Sequence, residues 1–146
     1  SKSKIYEIKI IKNLFSIYEN VYQNIDINLI TSSSAINNFK VKKILDFIND
    51  NYNQKIKIDL LAKELGICRS EICKLFKNEL HTTFTEYLTK LRIEKAIELL
   101  NSSEANITQI SEIVGFNGSS YFSETFKKFY NITPLEYKYQ NSNKKD

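Results

Sequence analysis

The chain repeats one arrangement of small, apolar and glycine residues, first at residues 62–77 and again at residues 111–127. In the first copy AKELGI at 62–67 precedes ICKLFK at 72–77, and in the second SEIVGF at 111–116 precedes FSETFK at 122–127. Each copy predicts a short apolar helix, a glycine that ends it, one buried apolar residue in the turn, and a second helix. The repeat therefore predicts two helix-turn-helix units in one short chain, which constrains the fold strongly.

The composition favours a helical fold. The chain has 146 residues with only three glycines and one proline, which are too few turn formers for a hairpin-rich β fold. This length allows one or two small domains with a proper core. The formal net charge of +4 is compatible with nucleic acid binding, although many unrelated proteins are equally basic.

The sequence also indicates where the chain resides. It contains no apolar run of the roughly 18 residues that span a membrane, and no signal peptide pattern. The two cysteines, Cys68 and Cys73, are placed so that a helix points them to different sides. We therefore expect neither a disulfide nor a metal pair, and a cytoplasmic location without membrane contact.

Residues 4–25 form a candidate amphipathic helix whose apolar half must be covered by other protein. Two interpretations stay open: the segment is the last helix of an upstream domain, or it pairs with its own copy in a homodimer. Residues 31–34 (TSSS) predict a linker. Because the chain contains no Met and opens with SKSK, we expect a fragment of a longer protein, with residues 1–37 belonging to a missing upstream domain and its linker.

The remaining periodicity predicts helices over 38–51, 60–65, 69–80 and 119–130, a short helix around Ile110, and a last helix beginning at Pro134. Asp59 is the expected N-cap of helix 60–65, and Asn106 or Thr108 is the expected N-cap of the short helix. Helix 119–130 is expected to bury Phe122, Phe126 and Phe129.

Residues 83–100 change their apolar face halfway along one predicted helix. The first half is apolar through Phe84, Tyr87, Leu88 and Leu91, and the second half through Ile93, Ala96, Ile97 and Leu100 on roughly the opposite side. A helix packed on one core keeps one stripe, so this segment is expected to join two cores as a stiff connector. The sequence thus predicts an all-α fold in which an N-terminal amphipathic helix precedes a domain at 38–146. That domain contains a first helix-turn-helix subdomain at 38–82, a bridging helix at 83–100 and a second subdomain at 101–140.

The outer face of each second helix carries short and cationic side chains. Short side chains let a helix approach base edges in the major groove, where hydroxyl groups form hydrogen bonds, while Lys and Arg meet bases or phosphates. Double-stranded DNA is therefore the expected partner, with Arg92 of the bridging helix as a further phosphate contact. The candidate DNA-binding residues are Arg69, Ser70, Cys73, Lys74, Lys77, Arg92, Ser119, Ser120, Ser123, Glu124, Lys127 and Lys128.

Residues 38–140 resemble the DNA-binding region of the AraC/XylS family of bacterial transcription regulators. The second unit matches through ISEIVGF at 110–116, SYFSETFKK at 120–128 and TPLEY at 133–137, and the first unit through LAKELG at 61–66, LFK at 75–77 and RIEKA at 92–96. The resemblance implies seven helices, sequence-specific DNA contact through helices 69–80 and 119–130, and usually activation of transcription, which makes RNA polymerase a candidate partner. It also implies an upstream sensing or dimerising domain, for which a sugar-type ligand barrel and a phosphorylated receiver both stay open.

Several positions depart from the usual family pattern. Cys68 replaces a capping serine, which ties the start of the first recognition helix less firmly. His81 and Asn131 replace glycines, and Asn tolerates a positive φ better than His does. Glu124 stands where the family often has a cation, so the second unit either recognises an unusual base or binds weakly. The smaller departures are Ser111 for alanine and Lys138 for arginine.

An enzyme is not expected from this sequence. Its single histidine, His81, has no adjacent nucleophile or carboxylate pair, and the chain has no phosphate-binding glycine loop and no metal-ligand spacing. We therefore expect no catalytic residue, metal or cofactor. The alternative function is a helical protein-interaction module with little or no specific DNA binding, which the modest net charge and Glu124 favour slightly. Salt dependence separates the two functions, because DNA affinity falls with log salt at a slope of about −0.9 per neutralised phosphate.

Overall fold

A computed structural model describes residues 33–142 of the chain. Within this range the protein forms seven α-helices and no strand, which confirms the predicted all-α fold. The helices are α1 (Ser33–Asn51), α2 (Ile58–Leu65), α3 (Arg69–Glu79), α4 (Phe84–Ser102), α5 (Ile107–Ile113), α6 (Ser119–Tyr130) and α7 (Pro134–Ser142). The amphipathic helix predicted over 4–25, and with it the homodimer contact, lies outside the described residues.

The first helix-turn-helix unit is built on α1, α2, α3 and the first half of α4. Its innermost side chains, each at most 1% exposed, are Ile44, Ile48, Leu61, Ile72 and Phe76. Helix α1 begins at Ser33, earlier than the predicted start at residue 38, and includes two serines that the sequence assigned to a linker. The reason is that no Gly or Pro interrupts residues 31–51, so nothing in the sequence stops a helix from extending into the serines.

The second unit is built on the second half of α4 together with α5, α6 and α7. Its centre is aromatic: the ring centroids of Phe116 and Phe122 are 5.1 Å apart, and those of Phe122 and Phe126 are 5.9 Å apart, both in edge-to-face geometry. Ser111 of α5 is fully buried, and its hydroxyl donates to the Thr108 carbonyl oxygen at 2.7 Å. A small residue with an internally satisfied hydroxyl therefore fills the position that the family gives to alanine.

The prediction that Phe129 is buried is wrong. Phe129 is 46% exposed, whereas Thr125 is buried. Around the helix Phe129 points in nearly the same direction as Phe122, but it lies two turns further along, beyond the end of the second core. There it lines an open cleft with Leu80 and Tyr87 of the first unit.

Helix α4 joins the two cores as predicted. Leu88 and Leu91 in its first half are buried in the first core, and Ile93, Ala96 and Leu100 in its second half are buried in the second core. The helix has 19 residues, which corresponds to a length of about 28 Å. The connector between the two units is thus one continuous helix.

The turns of both units use left-handed backbone. Gly66 and Gly115 have φ angles of 65° and 89°, which confirms that the turn glycines supply a positive φ. His81 and Asn131, after α3 and α6, have φ angles of 52° and 60°. These two residues therefore adopt the backbone conformation for which the family uses glycine.

Candidate nucleic-acid interface

Helix α3 presents the first candidate surface. Ser70, Cys73, Lys74 and Lys77 are exposed on one side of the helix, while the apolar residues of the other side are buried in the first core. Their spacing of three and four residues places these side chains on a single face. Within residues 33–142 neither lysine forms an ion pair, so both ammonium groups are available to an anion.

Arg69 begins α3 and pairs with Asp59 of α2. Its Nη1 atom donates to the two carboxylate oxygens of Asp59 at 2.9 and 3.1 Å, and both side chains are well exposed. The prediction that Asp59 caps α2 is wrong, because α2 begins earlier and Lys57 is its N-cap. Asp59 lies in the first turn of α2, where its negative charge interacts favourably with the helix dipole. Its carboxylate also links α2 to α3 through Arg69.

Cys68 is the N-cap residue of α3. In the described part of the chain its side chain forms no capping hydrogen bond, as expected where a capping serine is replaced. The Sγ atom lies 3.2 Å from the Ser70 Oγ atom. This contact is the main cause that lowers the pKa of the exposed Cys68 thiol.

Helix α6 presents the second candidate surface. Phe122 and Phe126 are fully buried on its inner side. Its outer side carries the exposed Ser120, Glu124, Lys127 and Lys128 and the half-buried Ser119 and Ser123. Glu124 thus places a carboxylate among the hydroxyl and ammonium groups of this face.

The structure gives Arg92 contacts inside the protein. Its Nε atom donates to the Tyr52 carbonyl oxygen at 2.7 Å, and its Nη2 atom donates to the Gln54 carbonyl oxygen at 2.8 Å. The side chain is half-buried, and burial lowers the pKa of its guanidinium. These two donors hold a loop of the first unit, and the phosphate contact expected of Arg92 stays a prediction.

Lys138 makes a similar contact in the second unit. Its ammonium group donates to the Ala105 carbonyl oxygen at 2.7 Å and to the Ser103 carbonyl oxygen at 3.2 Å. These bonds tie α7 to the connection between α4 and α5. A lysine at this position, where the family has arginine, still reaches two backbone oxygens.

The sequence analysis missed the capping boxes beside the candidate surfaces. At the start of α4 the Thr83 N–H donates to the Glu86 carboxylate at 3.0 Å, and the Glu86 N–H donates to the Thr83 hydroxyl at 3.2 Å. The first of these bonds holds the pKa of Glu86 below its ordinary value. Equivalent pairs begin α5 (Asn106 and Gln109, which confirms Asn106 as the cap) and α7 (Thr133 and Glu136). The signal that identifies them is Ser, Thr or Asn followed three residues later by Glu or Gln.

Among residues 33–142, no cluster of His, Cys, Asp and Glu is arranged to hold a metal ion. In the same range no helix combines the length and the apolar character needed to cross a membrane. His81 is exposed in the turn after α3.

The sequence is similar to known regulators over most of its length. The pattern that defines a helix-turn-helix domain family matches residues 61–140, more than half of the chain. The HTH-type transcriptional regulator YdeC of Bacillus subtilis (strain 168) is 37% identical over 141 residues, which are 97% of this chain and 48% of that protein. The lactose operon transcription activator of Staphylococcus xylosus is 37% identical over 102 residues, which are 70% of this chain and 37% of that protein. The chain therefore spans about half or less of the length of these relatives.

The fold is similar to that of a solved domain of the same kind. A transcriptional regulator of Chromobacterium violaceum, described as an AraC-type DNA-binding domain-containing protein, superposes with a TM-score of 0.68 at 30% identity. The match covers 73% of this chain and 96% of that structure. The sequence match and the structural match thus both indicate a helix-turn-helix DNA-binding domain.

Proposed function

This chain belongs to the AraC-type helix-turn-helix family of bacterial transcription regulators, and we propose that its helices α3 and α6 enter two successive major-groove segments of one DNA duplex. Such segments lie about one helical turn, roughly 34 Å, apart. The observation that carries the proposal is that α3 and α6 hold the same place in two similar corners, joined by one continuous helix that lies in both cores. Each of the two helices buries one side and exposes polar and cationic groups on the other.

We assign base contacts to the short side chains and backbone contacts to the lysines. Ser70, Cys73 and Ser120 are small enough for α3 and α6 to approach base edges closely. Lys77 and Lys127 lie in the last turn of each helix, where they would meet phosphates that flank the groove. The proposed surface is completed by Arg69, Lys74, Ser119, Ser123, Glu124 and Lys128.

Arg69 stays in the proposed surface although it pairs with Asp59. Both partners are exposed, and an exposed ion pair contributes at most about 1 kcal/mol. A phosphate group offers the guanidinium an equally good bidentate partner. Exchange of the carboxylate for a phosphate would therefore cost little.

For the whole protein we propose control of transcription, as an activator. The relative from Staphylococcus xylosus is named as a transcription activator, which supports this direction. RNA polymerase is then the proposed protein partner, and the proposed assembly is a homodimer through residues 4–25 or through an upstream domain. We further propose a cytoplasmic location, a chain without catalytic activity, and a division between residues 1–37 and a DNA-binding domain at 38–146.

Selection of bound sites from random duplexes, followed by affinity measurements, tests the proposal. The parent protein is expected to enrich a two-part sequence and to bind it with a salt slope of about −0.9 per neutralised phosphate. Lys77→Ala and Lys127→Ala should weaken binding to all duplexes alike and reduce the salt slope by about 1 each. Ser70→Ala and Ser120→Ala should instead change the selected bases.

A lysine outside the proposed surface provides the matched control. Lys42 of α1 is exposed and pairs with Asp46 at 2.7 Å, so Lys42→Ala removes one surface cation without touching α3 or α6. This variant should keep the affinity and the preferred sequence of the parent. If it lost as much affinity as Lys77→Ala, the assignment of the binding face would be wrong. If the parent enriched no sequence at all, the protein-interaction alternative would be favoured.

A further inference from the structure

The loop between α1 and α2 contacts both halves of the molecule. The Tyr52 side chain, at the start of this loop, packs against the first core and against the second core. The backbone of the same loop is contacted by Arg92 of α4 and by Gly115, which follows α5. One loop of the first unit is therefore bonded by α4 and closely packed against the second unit.

Arg92 holds this loop at the point where α4 passes from one core to the other. Its neighbours Leu91 and Ile93 are buried in the first and the second core respectively. The planar guanidinium donates through two separate nitrogens, Nε and Nη2, to two carbonyl oxygens at 2.7 and 2.8 Å, whereas a lysine has a single donor nitrogen. The contact fixes the loop relative to the middle of the connector.

Gly115 of the second unit packs closely against the same loop. A Cβ atom at this position would lie 2.8 Å from the Asn53 carbonyl oxygen and 2.9 Å from the Tyr52 carbonyl oxygen, so only a glycine allows the approach. Gly66 occupies the same position in the first unit, and a Cβ atom there would meet no other described atom within 4 Å. The close approach is thus a property of the junction and is not required by a helix-turn-helix corner.

We propose that Arg92 is a positioning residue that, with Gly115, fixes the orientation of the second unit on the first and thereby selects the spacing between two DNA half-sites. The inference rests on the proposed function, in which α3 and α6 bind one duplex. Helix α4 attaches the two units along a single axis, and the loop supplies a second attachment that opposes rotation about that axis. One inserted base pair turns the second half-site by about 34° and moves it by about 3.4 Å, so firmly oriented units should reject it.

The experiment compares affinities for a two-part duplex that the parent selects from random sequence, for the same duplex with one base pair inserted between its halves, and for duplexes with one half scrambled. We expect the inserted base pair to cost the parent about tenfold in affinity. Arg92→Ala should bind the original duplex about tenfold more weakly, because the second unit becomes loosely tethered. It should lose little more on insertion, and it should bind each single half as the parent does, with an unchanged salt slope.

Three further variants sharpen the comparison. Arg92→Lys keeps the charge but has one donor nitrogen in place of Nε and Nη2, so its insertion penalty should fall between those of the parent and Arg92→Ala. Lys95→Ala removes a cation of the same helix whose ammonium pairs with Glu98 at 2.9 Å, and it should behave like the parent. Gly115→Ala disturbs the loop from the other side and should also alter the spacing preference, which keeps the test available if circular dichroism shows that an Arg92 variant is unfolded.

Each result has a definite meaning. An insertion penalty that is the same in Arg92→Ala, Gly115→Ala and the parent overturns the proposal. So does a loss on single halves that equals the loss on the whole duplex, or a salt slope reduced by about 1, because the latter identifies a phosphate contact. If the parent selects no two-part duplex, the proposed function itself fails, and this outcome is visible before any variant is tested.

Discussion

Alanine substitution of the two turn glycines separates the cost of backbone conformation from the cost of contact between the units. Gly66 and Gly115 occupy the same position in the two copies, with φ angles of 65° and 89°. An L-residue in this left-handed region costs about 1–2 kcal/mol. Gly66→Ala should lose only this amount of folding free energy, because the new methyl group would meet no other described atom within 4 Å.

Gly115→Ala adds a steric cost to the same conformational cost. Its methyl group would lie 2.8 Å from the Asn53 carbonyl oxygen. The two residues on either side of Asn53, Tyr52 and Gln54, are bonded by Arg92. The loop must therefore shift, because there is no room for the methyl group. Forcing extra atoms into a packed region costs about 1–3 kcal/mol more. We expect Gly115→Ala to lose about 2–5 kcal/mol in total.

Urea unfolding of the parent and both variants measures these losses, with the slope of the unfolding free energy against urea serving to check that the unfolded states are comparable. A difference of about 1 kcal/mol between the variants also corresponds to about 4–8 °C in Tm for a domain of about 100 residues. Equal losses for the two variants would refute the reasoning, because they would show that the φ angle alone sets the cost at both positions.

Three further substitutions test individual side chains. Asp59→Asn removes the carboxylate that holds Arg69 and should raise the affinity for DNA of any sequence severalfold in fluorescence anisotropy; unchanged affinity would remove Arg69 from the interface. Glu86→Gln should lower Tm at neutral pH, because a carboxylate with a pKa below its ordinary 4.5 stabilises the folded state above that value. The difference should vanish as the pH falls through the lower pKa of the folded state, and an offset that persisted in acid would contradict the charged capping role. Glu124→Gln should change one selected base from cytosine to adenine, since a carboxylate accepts from cytosine N4 and an amide pairs with adenine. A uniform gain over all sequences in the same selection would place Glu124 beside phosphates instead.

The elements that could be predicted from the sequence are those that leave a periodic trace. The change of apolar face between Leu91 and Ile93 predicted a helix shared by two cores, and the structure confirms it. Periodicity gives the direction of a side chain but not where a core ends, which is why Phe129 was assigned to the interior. The contact between Arg92 and the loop could not be predicted from the sequence. Its acceptors are backbone carbonyl groups 38 and 40 positions away, and every residue carries such a group.

The repeat specifies two corners, but it does not specify how they are joined. Positions 66 and 115 are equivalent within the repeat, and both need a positive φ, yet only Gly115 also needs to lack a side chain. Arg92 has no counterpart in the repeat at all, since it lies on the connector between the copies. Arg92 and Gly115, which make the two copies non-equivalent, therefore both contact one loop, residues 52–54. Because this loop belongs to neither α3 nor α6, a change there would alter the angle between the two recognition helices while leaving the face of each helix intact.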